Sequence, residues 1–514
     1  MAGSLPKIGA FVLETLTTGM YTNPLDTIRE FIQNATDSIQ KAEDIGLLNN
    51  GEGRIEVRID PNKRILSVRD NGVGISKDEV YNKLLNIGMS DKKIEKNAGF
   101  RGIGRLASVA YCNTVHFQTK SGGEDELSHV KLDCIGLKKS VSPAMRQVEE
   151  LANVIEKYSK TYNEKNTKDQ HFFEVTMEEI SPTASVFLNL NFLQNYLCQI
   201  APVEMDAQYF FFKQKINSWQ KQYGLSTPTV TVVIKTPDSE QQIFKPYKTH
   251  YKTEDGDFKF DIKDIGYYPE KPSKDTPFWI WYGITDLLGM VDDERVSGFR
   301  FRKNNIAIGG PERVGELFSS LSKSYDRINA WYIGEIHITT TDVIPNARRD
   351  GFEDNEAWIS IKEKIMPFIR ERRVAAYDTS QKRNLPIPKV VKAAEKVIGD
   401  ANERFNTGFV SDQERHNILE QVKKEEEKAR KVLQAQKSKG TQEAEALVPI
   451  IQNLEKIRKT IEEEKSFAVK NIRSNLDRKQ RKLLSEILGI LYEALDEQNF
   501  KKAKSAILKK FTIE

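Results

Sequence analysis

Three short segments carry side chains whose type and spacing could do chemistry. In the run Asn23-Pro-Leu-Asp-Thr-Ile-Arg-Glu-Phe-Ile-Gln-Asn-Ala-Thr-Asp-Ser-Ile, Glu30, Asn34 and Asp37 recur at i, i+4 and i+7. On a helix they share one stripe, while Leu25, Ile28, Phe31, Ile32, Ala35 and Ile39 form the apolar side. A carboxylate, an amide and a carboxylate in line suit a magnesium–phosphate site: the amide oxygen ligates the metal and a carboxylate activates water. Taken alone, the same stripe is what a solvated helix face looks like. The second segment, Asp70-Asn-Gly-Val-Gly-Ile, follows directly on a strand pattern. Its glycines let backbone approach a flat ligand, and the carboxylate can accept a hydrogen bond from an aromatic amino group; in isolation it also reads as a tight Asn-Gly turn. The third, Gly99-Phe-Arg-Gly-Ile-Gly-Arg-Leu-Ala-Ser, opens a helix. Backbone N–H groups there form an anion cradle, although the segment is not a GxxxxGK[ST] loop.

The surrounding pattern supplies the elements that must hold these groups. Arg54-Ile-Glu-Val-Arg-Ile-Asp alternates polar and apolar residues, and Asn62 to Asp70 follows after an Asp-Pro-Asn turn, which predicts a hairpin. Thr114 to Lys120 reads as a third strand, and helices preceding an antiparallel sheet predict an α/β sandwich over residues 1–182. Residues 183–375 are richer in aromatics and short strands (Thr229 to Lys235, Phe278 to Ile284, Tyr332 to Ile338) and read as a second α/β domain. Residues 376–514 are dense in Lys, Glu, Gln, Ala and Leu, which predicts a helical arm with an antiparallel coiled-coil hairpin turning near Lys437 to Thr441 and a terminal helical bundle over Leu483 to Phe511.

Composition narrows the classes. The 514 residues are 39% hydrophobic and 30% charged, with a net charge of +4, so nothing in the charge balance demands a nucleic-acid or membrane partner. No apolar run is long enough to span a bilayer, and Met1 to Lys7 lacks the pattern of a secretory signal. Cys112, Cys134 and Cys198 show no CxxC or Cys/His spacing, which argues against structural zinc and disulfides and fits the cytoplasm. The six histidines form no HExxH pattern, and the basic runs near Arg478 to Lys482 and Lys501 to Lys510 read as solvated faces.

In this order and spacing the three segments resemble the N-box and the two glycine boxes of the GHKL ATPases, the superfamily of DNA gyrase B, ninety-kilodalton heat-shock chaperones, histidine kinases and MutL. Arg29 to Ser38 most resembles the heat-shock (HtpG-type) branch, whereas Ile87 to Lys93 is closer to MutL and MORC proteins. The resemblance implies an α+β protein: a Bergerat-type sandwich, a transducer-like middle domain and a helical C-terminal region. It implies ATP and Mg2+ as ligands. Glu30 would be the general base, Asn34 the metal ligand, and Asp70 the adenine acceptor, with Gly74 shaping its pocket. Asp37, Gly72, Ile75, Asn86, Ser90, Gly99, Arg101, Gly102, Ile103, Gly104, Arg105 and Leu106 would also contact nucleotide, with Asn86 to Leu106 as the lid. The family's Gly-Thr before its last strand is absent; Gln170-His-Phe-Phe-Glu-Val-Thr-Met stands there instead. Two segments resemble loops that bring a cation to the terminal phosphate. Gly298 to Gly310 carries Lys303, as in MutL and MORC relatives, and Val343 to Asp350 carries Arg349, as in heat-shock chaperones, with Arg348 beside it. The implied activity is a slow ATP-driven clamp, dimerising on ATP through an N-terminal strap (Ile8, Phe11, Val12, Leu16) and acting on a protein client or effector. A MutL/MORC-like nucleic-acid clamp and an ATPase subunit of a bacterial anti-phage system are the alternatives.

Overall fold

The computed structural model describes residues 8–15, 23–87, 104–141, 149–225, 227–252, 259–273, 275–383, 387–409, 411–437, 445–463 and 476–511. The alternation at Arg54 to Asp70 folds as expected: β1 (Arg54–Asp60) and β2 (Ile65–Asp70) pair antiparallel, with Ile55, Val57 and Ile59 turned into the core. Around them the sheet runs in the order β5 (Ser159–Lys165), β4 (Glu126–Asp133), β3 (Thr114–Lys120), β6 (Phe172–Glu178), β2, β1, β7 (Thr231–Lys235), β8 (Glu240–Ile243). Every neighbouring pair is antiparallel except β1 with β7. Thr231–Lys235, expected in a second domain, thus extends the first sheet beyond residue 182. Its continuous apolar run, Val232-Val-Ile, suits a place beside β1.

Helices close one face of this sheet. After a single turn, α1 (Val12–Glu14), the long α2 (Leu25–Asp44) starts where the Asn23 side chain accepts from the Leu25 N–H at 3.1 Å. Ile28, Ile32, Ala35 and Ile39 of α2 join Val57, Val68, Phe117 and Val175 in one core. The shorter α3 (Val80–Leu85), α4 (Cys134–Ser140), α5 (Leu151–Lys157) and α6 (Leu190–Ile200) contribute to it, as does a 3-10 segment, Gly104–Ala110. The fold is therefore the expected mixed α/β sandwich.

The chain continues through α7 (Lys213–Gln222) and a strand pair, β9 (His250–Lys252) with β10 (Lys259–Asp261). It then builds a second sheet in the order β11 (Asp264–Tyr268), β12 (Phe278–Ile284), β15 (Ile333–Ile338), β13 (Gly298–Lys303), β14 (Ile306–Ile308). Asn304 and Asn305, both at positive φ (48° and 62°), make the tight turn from β13 to β14. α8 (Glu312–Ser319) and α9 (Glu356–Arg383) follow. Contacts gather the chain into two compact units, Met1–Arg373 and Val374–Glu514.

In the second unit α10 (Ile387–Thr407), α11 (Asp412–Lys437) and α12 (Leu447–Glu463) form a three-helix bundle; α11 and α12 run antiparallel, so that Val432 meets Leu447 and Ile418 shares a core with Ile461. The expected coiled-coil hairpin is thus two helices of a three-helix bundle, because α10 supplies a third apolar stripe (Val390, Ala394, Ala401). Its expected turn lies outside the described residues. α13 (Arg478–Ala494) and α14 (Glu497–Phe511) form a hairpin, and Asp477 starts α13 with a capping box to Gln480. Among the described residues no helix is long and apolar enough to cross a membrane.

The buried His337 imidazole is pushed down to about 4, mainly by burial, and His116 shifts the same way to about 4 for the same reason. Both folded values lie below the unfolded one, so the unfolded chain binds more protons as pH falls from about 6.5 towards 4. Stability should therefore drop by about 2 kcal/mol for a wholly buried histidine between pH 7 and pH 5. Urea denaturation at the two pH values checks this, and equal midpoints would contradict it.

Candidate functional site

The polar stripe of α2 is not a solvated face. Thr27, Arg29, Glu30, Gln33, Thr36 and Asp37 are all buried, and Asn34 is half-buried. Buried polar groups persist where they have partners or work to do. The partners of Glu30 come from far away in the chain. Its Oε1 accepts from Arg349 Nε at 2.7 Å, with both side chains under one-tenth exposed. On the other oxygen, a Cβ added to Gly104 would lie 2.2 Å from Oε2. A side chain there would push the Glu30 carboxylate off its place against Arg349, so the last glycine of the Gly99 to Gly104 segment lies directly against the carboxylate.

The loop bearing Arg349 is held from several sides. Arg349 has a left-handed backbone, φ +56°, a conformation that costs an arginine of order 1 kcal/mol and needs support from its surroundings. Arg29 Nη1 donates to the Arg349 carbonyl at 2.9 Å, and the Gly309 N–H reaches the same oxygen at 2.9 Å. Within the loop, Asn346 Nδ2 donates to Asp350 Oδ1 at 2.7 Å. Arg29 in turn lies 5.7 Å from the Tyr196 ring centroid, and Tyr196 donates to Asp26 at 3.2 Å. Arg348 is exposed. Lys303 is not part of this group: it lies at the end of β13 and donates to the Thr340 carbonyl, and burial pushes its ammonium down to about 8. Of the two expected cations, the structure brings Arg349 to Glu30.

The Asp70 segment sits at the other end of the same stripe. Buried Asp70 accepts from the Gly72 N–H at 2.9 Å. A Cβ on Gly72 would lie 2.2 Å from Ser38 Oγ, and the Val73 N–H donates to the Ser38 carbonyl. Gly74, at φ +67°, leaves 1.9 Å between such a Cβ and the Lys120 carbonyl oxygen, so chain direction and space both demand glycine. Glu30, Asn34 and Ser38 stand at successive turns, so the Gly104 and Gly72 contacts lie about 12 Å apart along the axis with Asn34 midway. Asp37 is buried on the neighbouring side of the helix.

Two residues missed in the sequence complete this end. Thr119 Oγ1 accepts from the Ile75 N–H at 2.8 Å and donates to the Phe172 carbonyl at 3.0 Å. His171 Nδ1 meets the Gly72 carbonyl at 2.8 Å. The segment without Gly-Thr therefore still touches the Asp70 turn, through a histidine and a neighbouring strand's threonine. Asn86 ends α3 and hydrogen-bonds to Asn82, Arg105 lies in the 3-10 segment, and Leu106 is buried there. Ser90, Gly99, Arg101, Gly102 and Ile103 lie outside the described residues. His116 and His129 meet at 3.0 Å across β3 and β4, yet no group of His, Cys, Asp and Glu among the described residues could hold a metal ion.

Residues 21–161, somewhat over a quarter of the chain, match the model of the histidine kinase-, DNA gyrase B- and HSP90-like ATPases. Members of that family bind ATP, generally with Mg2+. Among curated proteins, the chain is 33% identical over 88 residues to the chaperone protein HtpG of Campylobacter jejuni subsp. jejuni (strain 81-176) and 30% identical over 131 residues to that of Escherichia coli O1:K1 / APEC. The aligned stretches cover 16% and 22% of this chain but only 14% and 21% of those relatives.

Removing one member of the buried pair strands the other, at a cost of about 3 kcal/mol. Glu30→Gln and Arg349→Met should each destabilise by that order, and the double variant by clearly less than their sum. Urea unfolding of the four proteins measures the coupling, and strictly additive losses would contradict the pair.

Proposed function

We propose that this chain is an ATP-driven conformational switch of the HtpG-like kind, which binds and slowly hydrolyses Mg-ATP and remodels a protein partner. The observation that carries the reading is the contact of Arg349 with Glu30, beside Gly104. It joins the candidate base, a phosphate-loop glycine and a cation from the second sheet at one point. The residues fit the nucleotide: glycines at 72, 74 and 104 keep backbone close where side chains would block it, and Asp70 is a buried acceptor. Asp70 would take the adenine amino group, while Thr119 and His171 hold the turn around it. Asn34, half-buried between the two glycine contacts, would hold Mg2+, which neutralises phosphate charge when bound. Glu30 would orient the attacking water, and Arg349 would stabilise charge on the terminal phosphate.

In the arrangement seen here Arg349 occupies Glu30. Terminal-phosphate binding would draw the guanidinium away and free the carboxylate. Because Arg349 also anchors its loop to Arg29 and Gly309, that exchange would couple nucleotide state to the placement of the second sheet. Ile8, Phe11 and Val12 are exposed near the N-terminus while Ala10 and Leu13 are buried, which supports their role as an ATP-dependent strap to a second copy. A protein-directed switch is favoured over a MutL- or MORC-like nucleic-acid clamp because Lys303, the cation that the second reading needs, is engaged with Thr340.

Glu30→Ala should lower ATP turnover by about a hundredfold or more while leaving ATP affinity within a few-fold. Steady-state phosphate release and nucleotide titration measure the two effects. A variant that turns over as fast as the parent chain would overturn the assignment of the base.

A further inference from the structure

One face of the second sheet carries a cluster of charges that the ATPase reading does not use. Glu335 on β15 is completely buried and accepts from five donors. Arg302 Nε and Tyr247 Oη (3.0 Å) reach Oε1; Lys245 Nζ (2.9 Å), Trp281 Nε1 (3.1 Å) and His337 Nε2 (3.0 Å) reach Oε2. A carboxylate has about four lone-pair positions, so this one is saturated. Its single negative charge faces two cations, Arg302 and Lys245, each sealed from solvent. Lys245 gains only a neutral second acceptor, Asn305 Oδ1 at 2.7 Å. The His337 ring is held neutral by burial. With Lys245 protonated, the cluster carries one more positive than negative charge inside the protein, where charges are normally paired.

A cavity of about 330 Å³ adjoins this surplus, bounded by α7, the segment around Met205 and the Trp279–Trp281 face of the sheet. It is large enough for a metabolite-sized molecule. Trp279 lines it, and the buried Trp279 Nε1–H has no acceptor among the described residues. The indole is held in place by His337, stacked at 4.0 Å with an interplanar angle of 5°. At the outer side Lys213, paired with Glu204 at 2.6 Å, and exposed Lys221 add cationic character. Along the lining three lysines, Lys213, Lys221 and Lys245, face two carboxylates, Glu204 and Glu335, and the Trp279 donor is unmet. The lowered proton affinity of Lys245, which burial and then the Arg302 charge push down to about 7, agrees with a missing counter-anion.

We propose that this cavity is a binding site for a small organic or inorganic oxyanion, a carboxylate or phosphate group whose oxygens pair with Lys245 and Trp279. Such a ligand supplies the charge and acceptors that the cluster lacks. It also bridges α7 to the sheet that carries the Arg349 loop, so its binding stabilises that half of the first unit.

The test uses the full chain, with sodium phosphate and sodium succinate titrated separately against sodium chloride at constant ionic strength. Trp219, Trp279 and Trp281 lie at or near the cavity, so tryptophan emission and the thermal midpoint report occupancy. We expect one of the two anions to saturate the emission change and raise the midpoint, and the anion that does so identifies the headgroup. Trp279→Phe keeps an aromatic ring on His337 but removes the N–H donor and should weaken binding about tenfold. Lys221→Ala, on the exposed rim, should weaken it severalfold and serves if the buried variant fails to fold. Saturation by neither anion at millimolar concentration, or equal affinity in the folded variants, overturns the proposal; equal affinity would place the anion elsewhere, for example at the nucleotide site.

Discussion

A single buried ion pair, Arg349 with Glu30, joins residues 319 positions apart and ties the loop of the second sheet to the helix that lines the first. Neither side chain has much water left to compensate its charge, so each depends on the other. Several otherwise odd features serve this contact. Arg349 adopts a left-handed backbone, Arg29 commits a guanidinium nitrogen to a carbonyl, and a side chain at position 104 would displace the Glu30 carboxylate. A pair of this kind is a poor source of net stability but a good register mark, because it is satisfied in only one arrangement of the two elements.

The rest of the candidate site is laid out along α2 as along a ruler. Gly104 leans on its N-terminal half at Glu30 and Gly72 on Ser38, with Asn34 between. Extended ligands with a flat end and an anionic end match such a layout, since acceptor, amide and carboxylate follow one another at helical intervals. The sheet braces the Asp70 end: Gly74 is wedged under the carbonyl of Lys120, and Thr119 ties the next peptide to the adjacent strand. The Glu30 end is held by a loop from elsewhere in the chain, through Arg349.

Much of the first sandwich could be read from the chain. The alternation in β1 and β2 and the apolar stripe of α2 are local signals, and each fixes its own element. The pairing of Glu30 with a distant arginine came through resemblance alone, because no periodicity links positions so far apart. Thr231–Lys235 gives no local sign of its sheet, because a continuous apolar run marks a buried strand without saying which sheet buries it. Thr119 and His171 are silent in the sequence for a related reason. Threonine at a strand end and histidine before a strand are ordinary locally, and only the register of β3 against β6 brings both to the Asp70 turn. The Glu335 cluster was equally silent: its members come from three strands and a loop, and only the sheet register collects them. Nothing local in the sequence calls for the arm's third helix, because two amphipathic helices already satisfy a hairpin pattern.

The most direct measurement is calorimetric titration of the magnesium complex of a non-hydrolysable ATP analogue into the full chain and into its Asp70→Asn variant. Convergence of the α2 stripe and the two glycine loops on one nucleotide predicts a single site per chain whose heat disappears, or whose affinity falls by at least about tenfold, when the Asp70 acceptor is lost. Absence of binding to the parent chain, or unchanged affinity in the variant, would contradict it.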